Sequence, residues 1–351
     1  MPGVPPPTRT TGTMGTDPRQ ALREALRRAE LPPSGQEPQP WLFRLRGRDT
    51  LELHLDRSRT LSVADPDRRE AVISCGAALF RVRVALHAMG HAGRVRLLPD
   101  PFDRDHLARI RLGAAHTPSP ADGTLALAIQ DGQADGMAGR AGEDGGIAPH
   151  VLSLLLGAAR VEQAWLGFVE TPVLRRALAG LVIAAHRRQR DDPRRRREHI
   201  FRAHQNEGTR SDSLPAAFPG SPGFLSYLGL PVPRSVGRDP EIAVRVQRWV
   251  ERAATIAVLT TRGDGRADWL VAGQALARVL LTAHACSVGA SYLNQPVEVP
   301  EFRPRVAELV RAAADPGVPG RRGGMPADAV PQIVLRLGRR STADVAPTSR
   351  A

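Results

Sequence analysis

The sequence predicts an α+β fold, and three observations carry that expectation. Strand-like and helix-like segments are interspersed, but not as the regular βαβ units that a doubly wound parallel sheet needs. An early stretch reads as a β-hairpin, with two alternating runs around a short turn. One long segment, Asp67 to Met89, is apolar on most faces, as a helix at the centre of a core must be. The 351 residues suffice for one large domain or two ordinary ones, and a 42 % hydrophobic content is that of a chain that folds.

The elements follow in order. Residues 1–16 are rich in Pro, Gly and Thr and read as a loose tail. Asp17 caps a first helix running to about Glu30, with Pro18 at its first position, where a missing N–H costs nothing. Trp41–Arg46 and Leu51–Leu55 alternate around Gly47–Asp49. From Asp67 to Met89 the apolar residues crowd a helix whose small residues, among them Ser74, Cys75, Gly76 and Ala77, permit close packing. A strand at Val95–Leu98, a short helix at Asp103–Leu112 and a strand at Leu125–Ile129 follow. Residues 130–146 are a Gly- and Asp-rich connection. Helix 148–160, strand 163–169 and helix 172–190 come next. Residues 205–238 read as a long loop of lid or wrapping type. The last third holds a helix at Glu241–Arg252, a buried strand at Thr255–Thr260, a long helix from Asp268 to about Ser287 and a closing strand at Pro331–Leu337.

Composition excludes several classes. The formal charge is +13, yet all 49 basic residues are Arg and the aromatic fraction is 4 %. An all-arginine set is what a GC-rich coding sequence writes, and stacking platforms for nucleic acid are scarce, so no nucleic-acid partner is expected. Two cysteines, Cys75 and Cys286, make no disulfide framework and point to a reducing, cytoplasmic setting. The first residues lack an apolar signal core, and no run of 18 apolar residues predicts a membrane span.

Several blocks together resemble the Acg-type branch of the nitroreductase-like flavoproteins. They are Gln39-Pro40-Trp41, Asp65-Pro66-Asp67-Arg68-Arg69-Glu70, Ile73 to Phe80 and Arg96 to Asp100 in the first part. In the last third they are Gly263-Asp264, Asp268-Trp269-Leu270, Gly273-Gln274-Ala275-Leu276, Leu280 to Ala283, Asn294 to Pro300 and Pro331 to Gly338. The resemblance implies two pseudo-symmetric halves in one chain, with central mixed or antiparallel sheets and surrounding helices. The halves would be 17–130 and 148–340, joined by linker 131–147, with a lid-like loop 205–238 and a tail 341–351. It also implies a monomer whose internal pseudo-dimer interface replaces that of an obligate homodimer. FMN would lie between the halves, NAD(P)H would be the electron donor, and hydride would pass by a ping-pong route to a small nitro- or quinone-like acceptor. The cofactor-binding positions implied are Ser34, Gln36, Gln39, Trp41, Gln274, Arg336 and Arg339, with no catalytic side chain beyond the flavin.

The same resemblance marks losses. Where the family has a His and an Asn in its first flavin motif, this chain has Gln36 and Glu37, and a carboxylate there repels phosphate and pyrimidine oxygens. Where the family opens its second half with arginines, this chain reads Gln130 to Asp135. Each charge-assisted hydrogen bond contributes about 1.5–3 kcal/mol, so losing two or three lowers affinity by roughly two to six orders of magnitude. A non-catalytic relative that stores flavin weakly, or serves in a stress response, is therefore the rival expectation.

Plainer readings stand beside these. Trp41 is either a flavin border or a core aromatic, and Gln39 either a ring contact or a turn amide. Helix 268–287 is core, with Gly273 allowing close helix approach at the internal interface. His87 and His91 have chelating spacing, but Gly90 breaks the helix between them and no carboxylate lies beside them in sequence, so no metal is expected. Arg194–Arg197 is a solvated helix face. Cys75 is an inert core thiol, and the Gly-rich segment lacks the Lys and Ser/Thr that end a phosphate loop.

Overall fold

In the computed structural model, residues 17–29, 39–135, 146–195, 197–198, 240–313 and 325–339 are described. The elements are α1 (Pro18–Arg28), β1 (Trp41–Arg46), β2 (Thr50–Leu55), α2 (Arg69–Ala88), β3 (His91–Leu97), β4 (His106–Ala115) and α3 (Pro120–Asp135). Then come α4 (Pro149–Val161), β5 (Trp165–Phe168), α5 (Pro172–Arg190), α6 (Pro240–Glu251), β6 (Thr255–Thr261) and α7 (Arg266–Ala285). The chain closes with β7 (Val288–Tyr292), α8 (Gln295–Glu298), α9 (Arg303–Ala313) and β8 (Val330–Arg339).

Two antiparallel sheets of four strands form, ordered β1-β2-β4-β3 and β5-β6-β8-β7. The connectivity repeats: in each, a 20-residue helix leaves the second strand and enters the third, α2 in the first sheet and α7 in the second. Those two helices pack on each other between the sheets. One apolar core joins the inner face of the first sheet (Leu51, Leu53, Ile110), both central helices, and the inner face of the second (Leu259, Ile333, Leu335). The two sheets treat their other face differently. The second sheet is covered there by α5, α6 and α9 through Leu178, Val182, Val246, Val306 and Val310. The first sheet instead turns Arg44, Arg46, Arg94, Arg96, Arg109 and Arg111 outward, in two cross-strand rows. Six of the 49 arginines therefore form a sheet face, with Glu52 held among them by Arg46 at 3.1 Å and Arg109 at 2.9 Å.

Helix α2 is long and apolar enough to cross a bilayer, but most of its length is buried against α7 and the sheets, as expected of a core helix.

Two expected elements are corrected. Asp103–Leu112 was expected as a helix; it lies in β4, where Ala108 and Ile110 face the core while Arg109 and Arg111 face outward. That is period two, masked in sequence by a bulge at Leu53/His54, which adds Leu107 to the strand. Leu125–Ile129 was expected as a strand; it lies in α3, with Leu125, Ala128 and Ile129 buried at i, i+3 and i+4 and Leu127 exposed. The missed signal is a capping box. Ser119 N donates to Asp122 Oδ2 at 2.8 Å and Asp122 N donates to Ser119 Oγ at 3.2 Å, with Pro120 at the first position. Helix α3 also takes in Asp131–Asp135, the first residues of the expected linker; the expected lid 205–238 lies outside the described residues. β7, α8 and α9 were not anticipated.

Candidate functional site

Five of the sequence blocks that carried the resemblance converge on one polar cluster where the halves meet. Asp65 precedes α2 and accepts from the backbone N–H groups of Glu70 (3.2 Å) and Ala71 (3.0 Å), satisfying the open end of that helix. The next side chain, Arg69, crosses to the other half. Its Nη1 donates to the carbonyl of Gln332 at 2.9 Å and to Gln332 Oε1 at 3.0 Å. Gln332, at the start of β8, in turn donates through Nε2 to Thr261 Oγ1 (3.0 Å), Asp264 Oδ1 (3.2 Å) and Gly263 O (3.3 Å). Asp264 also receives the Trp269 indole N–H at 2.8 Å and pairs with Arg303. Asp268 closes the turn by accepting from Gly263 N and Gly265 N. On the other side of Arg69, Glu298 of α8 is buried and accepts from Gln189 at 2.7 Å. Arg195 donates to Ala64 O at 2.6 Å.

The cluster holds three carboxyl groups in poor contact with water. Burial pushes the Glu298 carboxyl up from an ordinary 4.5 to about 7. Burial, then the charges of Glu298 and Asp65, push Glu70 well above its usual range, and burial raises Asp65 too. Such a group binds its proton more tightly folded than unfolded, so the stability it contributes is complete below pH 4.5 and is lost as the pH climbs toward 7. Glu298→Gln keeps an acceptor for Gln189 and removes the charge. Its expected effect is a flatter stability curve across that window, with a gain on the order of 2 kcal/mol at pH 8, read from urea unfolding at several pH values. A loss of stability at pH 8 contradicts this account.

Chemically, the cluster can hold a proton near neutrality and lock the halves together. It does not fit a dianionic phosphate. The guanidinium groups of Arg69, Arg195 and Arg303 face Asp65, Glu70, Glu298 and Asp264, so positive charge is already matched.

The residues expected to hold a flavin take up several different settings. Ser34 and Gln36 lie outside the described residues. Gln39 is half-buried ahead of β1, and Trp41 is buried in the shared core. Gln274 is buried in α7 and accepts from Arg83 at 2.8 Å. Arg336 was expected to reach a phosphate. It is buried on the opposite face of the second sheet from Leu335 and Leu337, with its guanidinium 4.9 Å from the Trp249 ring centre. Strand alternation decides this: a one-residue step on β8 changes the face. Arg339 is exposed at the end of β8. Gln130–Asp135, in place of the family's arginines, belong to α3. Cys75 is buried, its Sγ 3.6 Å from Pro40 O, and burial pushes its thiol up. The Arg69–Gln332–Asp264 network is not assigned by the sequence reading, and the available signal was Gln332 at the head of an otherwise apolar strand and the dense charge of residues 65–70 just ahead of an apolar helix.

No family model matches the sequence. Rv3131 of Mycobacterium tuberculosis (strain ATCC 25618 / H37Rv), provisionally named an NAD(P)H nitroreductase, is 30 % identical over 89 % of this chain and 87 % of its own. The acg protein of the same strain, named in the same way, is 37 % identical over 94 residues, 27 % of this chain and 28 % of its own. Among solved structures, a Bacteroides fragilis nitroreductase with bound FMN is similar at 14 % identity and a TM-score of 0.35, covering 65 % of this chain and 92 % of that one. The extended identity with Rv3131, together with the α+β architecture of paired antiparallel sheets, shows that the chain belongs to the nitroreductase family, with the Acg-type proteins.

Proposed function

We propose that the chain is an oxidoreductase of nitroreductase type, linked to NAD(P)H, for which FMN is a weakly held and exchangeable partner rather than a resident group. Family membership supports the reaction class. The observation that carries the weak binding is the placement of the arginines. Arg336 is buried against Trp249 on the face of β8 turned away from the core shared by the two sheets, and the guanidinium groups at the junction of the halves are matched by carboxyl groups. When bound, FMN would supply hydride transfer to a small nitro- or quinone-like acceptor. The chain's own contribution is the scaffold: two halves clamped by the α2–α7 packing and by Arg69.

The same arrangement favours a second reading, a family member that has ceased to turn over. One experiment separates them. The purified full chain is expected to be nearly colourless, to quench added FMN with a dissociation constant in the micromolar range or weaker, and then to bleach with NAD(P)H. Binding without bleaching assigns the second reading, and tight yellow protein as isolated overturns the proposal of weak binding. In the same sample the proposed oligomeric state is a monomer, since α2 and α7 already bury each other, and light scattering reads its mass.

A further inference from the structure

His87 and His91 have chelating spacing, and the break at Gly90 and the lack of a neighbouring carboxylate in sequence argued against a metal there, but the fold gives His87 different neighbours. His87 sits in the last turn of α2, His116 follows β4, and Asp122 lies in the first turn of α3. His87 Nδ1 is 3.4 Å from Asp122 Oδ1, and His116 Nε2 is 3.1 Å from Asp122 Oδ2. All three ligating atoms lie within 4.8 Å of one another. A tetrahedral ion with bonds of about 2.0–2.1 Å needs ligand–ligand edges of about 3.4 Å, and each histidine nitrogen already stands about that far from one oxygen of the Asp122 carboxylate, His87 from Oδ1 and His116 from Oδ2.

From this geometry we propose that His87, His116 and Asp122 bind a divalent metal ion of the zinc class. Two imidazole nitrogens with one carboxylate suit such an ion, and three protein ligands leave a position for water or a small ligand. The two imidazole rings lie side by side, with centroids 4.6 Å apart and planes tilted by 34°, which sets one nitrogen of each within reach of the Asp122 carboxylate. The frame is held without the ion. Asp122 accepts from Ser119 N (2.8 Å) and Ser119 Oγ (2.7 Å), and the His116 backbone N–H donates to Gly90 O at 2.8 Å. The three side chains remain partly open to solvent, at 31 %, 30 % and 16 % exposure. The nearby cation, Arg83, is drawn away by Glu162 at 2.6 Å and Gln274 at 2.8 Å.

A second group, Glu52, His54 and His106, looks alike in composition but differs in charge: its carboxylate is already neutralised by two arginines, Arg46 and Arg109. It serves as the control.

The test is Zn²⁺ titration of the metal-stripped full chain against a chromophoric chelator. Wild type is expected to take up one equivalent that His116→Ala and His87→Ala lose, with affinity falling by at least about 100-fold, while His54→Ala keeps it. Asp122→Asn preserves an acceptor for the Ser119 cap and removes the charge, so it weakens Zn²⁺ without unfolding α3. Cobalt substitution should give the visible absorption of a four-coordinate ion in wild type alone. No Zn²⁺ uptake by the folded wild type, or the same stoichiometry in wild type, His116→Ala and Asp122→Asn, overturns the assignment.

Discussion

Gly273→Ala should abolish the native fold or lower its stability by at least about 3 kcal/mol, the upper end for overpacked cores. Gly273 lies on α7 against α2, where an added Cβ would overlap the carbonyl oxygen of Ile73 and stand 2.8 Å from Ala77 N. Gly76 is its counterpart on α2, where an added Cβ would overlap the Leu270 carbonyl oxygen and stand 3.1 Å from Gly273 Cα. The obstructing atoms are backbone on both sides, so no side chain can rotate away. Relief requires the two helices to separate, and that opens the core shared by both sheets. Two other helical glycines are the control. Gly157 and Gly180 are exposed and have nothing near a new Cβ, so alanine there should be neutral or stabilise by up to about 1 kcal/mol. Urea unfolding of the three variants reads the contrast, and a Gly273→Ala protein as stable as wild type would refute the interface.

Glu162→Ala has the next largest expected cost, about 2–4 kcal/mol. Glu162 ends α4, is buried, and receives Arg83 of α2 at 2.6 Å and Arg278 of α7 at 2.9 Å. Both guanidinium groups also lie against the Phe80 ring, at 5.6 Å and 4.9 Å. Removing the carboxylate leaves two like charges facing each other with little water to separate them. Breaking a buried pair costs about 3–5 kcal/mol, and the arginines' partial exposure lowers that range. Glu162→Gln keeps an acceptor and should cost about half as much. A double-mutant cycle with Arg278→Met measures the coupling, and a coupling near zero would show the bridge to be incidental.

Most helices were legible from the chain, for local reasons. Pro18, Pro149 and Pro172 mark helix starts, and the crowd of apolar and small residues from Ala71 to Phe80 leaves no polar face for solvent. The β1–β2 hairpin was legible because Gly47 supplies the positive φ its turn needs and the flanking runs alternate. The misread pair, β4 and α3, shows the limit. Short apolar runs fit either period, and a bulge in one and a capping box in the other decide the outcome.

The candidate site was legible only in fragments. Asp65, Arg69, Asp264, Glu298 and Gln332 stood inside recognised blocks, but their meeting depends on contacts between residues as far apart as Arg69 and Gln332. Likewise His87 pairs with His116 rather than His91 because β3 and β4 form a hairpin that brings the end of one strand back to the start of the other.

What the sequence by itself determined is the class of fold, the two central helices and the family, because periodicity, caps and small-residue runs are local properties. The tertiary structure alone decided which face each side chain takes and which charges meet. It turned Arg336 toward Trp249, set carboxyl groups against the arginines between the halves, and gathered two histidines and an aspartate from three elements. The physical reason is that burial and charge pairing depend on distances through space, which strand register and helix packing set only once the whole core has formed.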